Sequence, residues 1–118
     1  MIILILLSLV AAPNEAELVK QFAAKYDCQT PAQMIDGTEC DLLPNKNSPY
    51  ADYAIEADFP EKWAESVTQA EHYAILTGRK PAVVVFVKDP KSEYRALARM
   101  AWHCGRRGVL LIVWDAEP

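Results

Sequence analysis

Residues 53–73, YAIEADFPEKWAESVTQAEHY, decide how this chain folds. The first part alternates as a strand does: Ala54, Glu56 and Asp58 project to one side, Ile55, Ala57 and Phe59 to the other. Two acids therefore share one face. After Pro60, residues 61–77 lack proline and glycine, and Trp63, Ala64, Val67, Ala70, Ala74 and Ile75 recur at helical spacing. The strand thus hands over directly to a helix. On that helix Lys62, Ser66, Gln69 and Tyr73 stack as one polar stripe, because residues three or four apart lie on the same side. A lysine in a first helical turn sits at the positive end of the helix dipole and needs a counter-charge. Glu56 and Asp58 are the nearest candidates.

Upstream, residues 44–49 (PNKNSP) are loop chemistry, and residues 38–43 read as a strand with Asp41 near its end. Asp36-Gly37 favours a tight turn joining it to a strand at 32–35, and a return through PNKNSP brings Asp41 alongside Glu56. Asn14 can cap an opening helix with Leu18, Val19, Phe22 and Ala23 on its apolar face, running to about Tyr26. Downstream, Gly78 and Pro81 close the central helix, and AVVVFV at 82–87 lacks alternation, as a strand covered on both faces does. A helix at 92–104 and a buried strand at 109–114 complete the pattern, with Gly105 and Gly108 ending the helix. Antiparallel hairpins followed by crossover units predict an α/β sandwich.

With 118 residues the chain is long enough for one domain and too short for two. Charge is unevenly placed. Up to residue 78, four lysines oppose twelve acids, whereas residues 79–107 hold eight bases and only Asp89 and Glu93. Such asymmetry suits an acidic cation-binding cluster beside a phosphate-facing basic surface, or else a solvated basic helix face. The slightly acidic total argues against a non-specific nucleic-acid coat protein. MIILILLSLVAA, residues 1–12, is too short to span a bilayer and has the length of a secretory signal's apolar part. Export to the periplasm or outside the cell is the expectation, with no stable membrane span after processing; a retained N-terminal anchor is the alternative. Three cysteines without a C-x-x-C pair argue against a structural zinc site; in an exported chain Cys28 and Cys40 are the plausible disulfide, with Cys104 left free or paired with another chain. His72 and His103 have no spaced partner histidine.

Asp41 at one strand's end, Glu56 on its neighbour and a nearby lysine form a chemical unit. Two carboxylates can hold Mg²⁺, and an ammonium group can orient an attacking water. Residues 36–43 (DGTECDLL), 53–59 (YAIEADF) and 62–86, with the helix motif Gln69-x-x-x-Tyr73, resemble the PD-(D/E)XK, or restriction-endonuclease-like, nuclease superfamily. They are similar to its small signal-bearing bacterial members, and the Q-x-x-x-Y motif to its RecB-type branch. The resemblance implies an αβββαβ core, a mixed sheet flanked by helices, with an additional C-terminal helix and strand, in one nuclease-like domain over 14–118. It implies hydrolysis of DNA phosphodiesters with Mg²⁺ or Mn²⁺, Asp41 and Glu56 as metal ligands, and Gln69 and Tyr73 supporting the site or touching substrate. Glu15 or Glu17 would add a carboxylate, and the chain offers no way to choose between them. One position departs from the pattern: the family's lysine falls two residues after the acid, where this chain has Asp58. Lys62 is expected to supply the catalytic ammonium from the helix instead, with Asp58 available as a third metal ligand. The competing expectation is an exported, catalytically inactive binding domain that keeps the nuclease fold.

Overall fold

The computed structural model describes residues 14–116. The apolar run at 1–12, and with it the export reading, lies outside the described residues. Helix α1 (Glu15–Tyr26) begins where Asn14 Oδ1 accepts the Glu17 N–H at 2.9 Å, the expected cap, and buries Leu18, Val19, Phe22 and Ala23. Four two-residue strands follow: β1 (Cys28–Gln29), β2 (Ala32–Gln33), β3 (Glu39–Cys40) and β4 (Leu43–Pro44). β2 and β3 pair as an antiparallel hairpin, and β1 pairs antiparallel with β4. At the hairpin tip Asp36 Oδ1 accepts both the Thr38 N–H and hydroxyl, while Gly37 takes a positive φ of 85° that a side chain would oppose.

The larger sheet is parallel, in the order β5 (Tyr53–Asp58), β6 (Lys80–Val87), β7 (Leu110–Asp115). A 3₁₀ turn (Pro60–Lys62) and α2 (Trp63–Thr77) connect β5 to β6, and α3 (Pro90–Arg107) connects β6 to β7. Ile55 and Ala57 of β5, with Ala82, Val84 and Phe86 of β6, pack against the apolar face of α1. Val83, Val85 and Val87 pack on the other side against Val67 and Ala70 of α2 and Met100 and Cys104 of α3. The domain is mixed α/β, with helices flanking sheets of mixed topology. β6 runs through its centre, fully buried from Ala82 to Phe86 as its unalternating β-branched composition requires.

Four expectations need correction. The early strands do not extend into one broad mixed sheet: they form two short pairs, joined to β5 by the isolated antiparallel bridge Leu42–Ile55. Pro31, Pro44 and the Asp36-Gly37 turn fall too close together for long ladders. Secondly, β7 is the sheet's edge and not a buried strand, so Val113 is 57% exposed despite its apolar sequence. Thirdly, all three cysteines are free; Cys28 and Cys40 lie in different strand pairs, and burial pushes their thiols up to about 11 and about 12. Gly105 is also carried inside α3, and Gly108 alone, at φ 67°, ends it. No described helix is long and apolar enough to cross a membrane.

Candidate functional site

The bridge between the two strand systems builds the site. Leu42 and Ile55 exchange both backbone hydrogen bonds, at 3.1 and 3.0 Å, which sets Asp41 beside Glu56. Each acid then binds the other strand's backbone: Glu56 Oε2 accepts the Asp41 N–H at 3.1 Å, and Asp41 Oδ2 accepts the Ala57 N–H at 2.9 Å. The carboxylate of Asp41 stands where a ladder carbonyl would otherwise be. Thr30 Oγ1 donates to the Asp41 carbonyl at 2.7 Å and braces the segment from the β1–β2 side.

Two like charges in so small a space cannot both persist. Glu56 is only 3% exposed, and burial pushes its carboxyl up to about 10, reinforced by a hydrogen bond to the Asp41 side chain and by that group's charge. At neutral pH the pair therefore retains a proton. Asp58, next on the same face of β5, is half-buried and also raised, first by burial and then further by Asp41. The Phe59 N–H at 2.9 Å, the Ser66 hydroxyl at 3.1 Å and the Lys62 charge oppose that rise.

Glu15 is the acid that α1 contributes. Burial raises its carboxyl, Asp58 and Asp41 raise it further, and Lys62 counteracts them, so the five groups share one electrostatic field. Glu17 instead lies exposed, with its N–H on the Asn14 cap. A cleft of about 420 Å³ opens between α1 and the early strands, lined by Glu15, Ala16, Val19, Lys20, Thr30, Pro31 and Asp41. Asp41 thus faces an open space, and Glu56 lies buried behind it. Lys20 and Thr30 were not among the sequence candidates. The spacing of Ala16 and Lys20 would have shown a shared face of α1, but nothing local tells which face the strands approach.

The polar stripe on the central helix divides. Ser66 and Tyr73 are buried; Lys62 and Gln69 are exposed. Ser66 Oγ lies 3.1 Å from Asp58 Oδ2 and 2.8 Å from the Lys62 carbonyl, which ties the start of α2 to the end of β5. Tyr73 packs among Ala32, Met34, Cys40 and Ala54, within electrostatic reach of Glu56 and Asp41, and burial raises its hydroxyl above the ordinary range. Gln69 does not join the group: its amide reaches Glu65 Oε1, at 3.4 Å. Lys62 acts on Asp58 and Glu15 through its charge and forms no ion pair among the described residues.

Among the described residues, no group of three or more His, Cys, Asp or Glu side chains is placed to hold a metal ion. Asp58 accepts hydrogen bonds from Phe59 and Ser66 on its two oxygens, and Asp41 and Glu56 each accept one from the opposite strand, so all three carboxylates keep oxygen lone pairs. Their chemistry suits a hard divalent cation, which binds through one or two carboxylates and keeps several waters. No family model, curated protein or solved structure matches this chain.

Proposed function

We propose that the chain is a metal-dependent phosphodiesterase acting on DNA, with Asp41 and Glu56 as its two metal-ligating acids. The carrying observation is the reciprocal lock between these acids, with Asp41 at the wall of the cleft and Glu56 buried behind it. Mg²⁺ or Mn²⁺ would be held by Asp41 and Glu56, and when bound would supply Lewis-acid stabilisation of phosphoryl oxygen charge. Around it, Lys62 provides a positive charge toward Asp58 and Glu15. Glu15 and Asp58, whose carboxyls burial raises above their ordinary range, are the further acids that face the same field. Tyr73 and Ser66 position the β5 end by packing and hydrogen bonding.

Plasmid nicking with Mg²⁺ or Mn²⁺ tests the reading, alongside cation-induced thermal stabilisation. The expected result is cleavage lost by at least a hundredfold in Asp41→Ala and Glu56→Ala, with the Tm rise on Mn²⁺ lost in both. Cleavage that survives both substitutions would remove these acids from the mechanism. A second reading, a nuclease-like domain that binds without cutting, draws on the exposed Lys62 and the departure of Gln69 from the site. Cation binding that needs Asp41 and Glu56, with no cleavage of DNA under any divalent metal, would favour it.

A further inference from the structure

Helix α3 carries a face that the carboxylate site does not use. Counted at 100° per residue, Lys91, Trp102, Arg95, Arg106 and Arg99 fall within about 80° of arc. All five are exposed, and Tyr94 flanks them at 62% exposure. Met100 and Cys104 lie buried on the opposite side of the helix. None of the four cations forms an ion pair among the described residues, where the pairs are His72–Asp36 and Arg107–Glu71. The segment's own acids are turned away from the face: Asp89 caps the Lys91 N–H, and Glu93 accepts the Lys88 and Asp89 N–H groups at 2.8 and 2.5 Å. The stripe is therefore not neutralised from within.

Cations alone would describe a solvated helix face. The aromatic rings add something that solvation does not call for. Trp102 is 57% exposed, with Arg106 over its ring at 5.0 Å, and the two together form a flat cationic platform. Aromatic platforms interleaved with a line of positive charge match a strand whose phosphates need neutralising and whose bases are free to stack. A duplex keeps its bases stacked inside and gives such rings nothing to hold. From Lys91 to Arg106 the stripe runs about 22 Å, at 1.5 Å per residue, room for on the order of five nucleotides.

We infer that the outer face of α3, formed by Lys91, Arg95, Arg99, Trp102 and Arg106 with Tyr94 at its border, binds single-stranded nucleic acid. This deepens the proposed reading by naming the form of nucleic acid, and it rests on surface groups that take no part in the carboxylate pair. Binding of the full chain to a labelled 20-nucleotide oligothymidine, measured by fluorescence anisotropy in EDTA, separates the two claims because no cleavage can occur. The affinity should fall with salt at a log–log slope of about −3, as four neutralised phosphates require, and Trp102 fluorescence should be quenched. Arg95→Gln with Arg99→Gln should flatten that slope by about 1.4. Trp102→Ala should weaken binding about fivefold or more, with melting temperature and circular dichroism unchanged. Oligonucleotide binding by the unsubstituted chain and by Asp41→Ala alike, with no plasmid cleavage by the unsubstituted chain under Mg²⁺ or Mn²⁺, would sink only the hydrolytic reading. Duplex held as tightly as single strand with no effect of Trp102→Ala, or no oligonucleotide binding beside firm binding to phosphatidylglycerol vesicles, would overturn the assignment of α3.

Discussion

Glu56 sets the pH behaviour of the domain. Its folded-state pKa lies far above the ordinary carboxylate value, so the folded chain binds a proton that the unfolded chain releases. Its contribution is fully present below about pH 4.5 and is lost as pH rises toward about 10. Glu56→Gln, which keeps the shape and removes the ionisable group, should raise the Tm at pH 7 by about 5 °C or more and flatten its fall between pH 5 and 8. Thermal melts across that range check this; a variant less stable than the parent at pH 8 would contradict the shared-proton picture. The thiols offer a second residue-level test. With Cys28 and Cys40 pushed up by burial and Cys104 raised as well, a thiol reagent should label none of them rapidly in the native protein and all three after unfolding. Intact mass before and after reduction should be unchanged.

At the scale of elements, α3 is defined by its ends. Asp89 and Glu93 satisfy backbone donors of its opening turn, and Gly108 turns the chain through a left-handed conformation at its close. A side chain at Gly108 would meet nothing within 4 Å, so Gly108→Ala costs only the backbone strain, about 1 kcal/mol. Chemical denaturation should give that value with an unchanged denaturant slope. α2 is held to α3 by the Trp63–His103 stack at 4.4 Å and by the Arg107–Glu71 pair. Its own start is tied to β5 through Ser66. This coupling explains why Lys62 remains near Asp58 even though its side chain is exposed.

At the scale of the molecule, Phe22 joins separate parts of one core. Its ring lies 4.7 Å from Tyr26, 5.9 Å from Tyr50 and 5.1 Å from Trp114, so α1, the loop before β5 and the edge strand β7 meet around it. Phe22→Ala should destabilise the domain by about 3–5 kcal/mol, measured by denaturant unfolding. Because α1 forms one wall of the cleft, the same change should weaken cation-induced stabilisation at Asp41 and Glu56. A loss of stability that leaves that response intact would mean that α1 does not shape the site.

Much of the order of elements was legible locally. The alternation through Ile55 and Ala57, the Asn14 cap, the Asp36-Gly37 turn and the run through Val83, Val84 and Val85 each report a backbone preference or a burial requirement carried by neighbouring residues. The meeting of Asp41 with Glu56 was also foreseeable, since a return through PNKNSP places the two side by side. Other features required distant parts of the chain to be assembled. Which first-turn acid of α1 turns inward depends on how that helix seats on the sheet, and Gln69 leaves the site because the stripe spans both the buried and the exposed side of α2. The apolar β7 is only partly buried, with Val113 exposed, because strand order, unlike strand formation, is settled by packing between segments far apart in sequence.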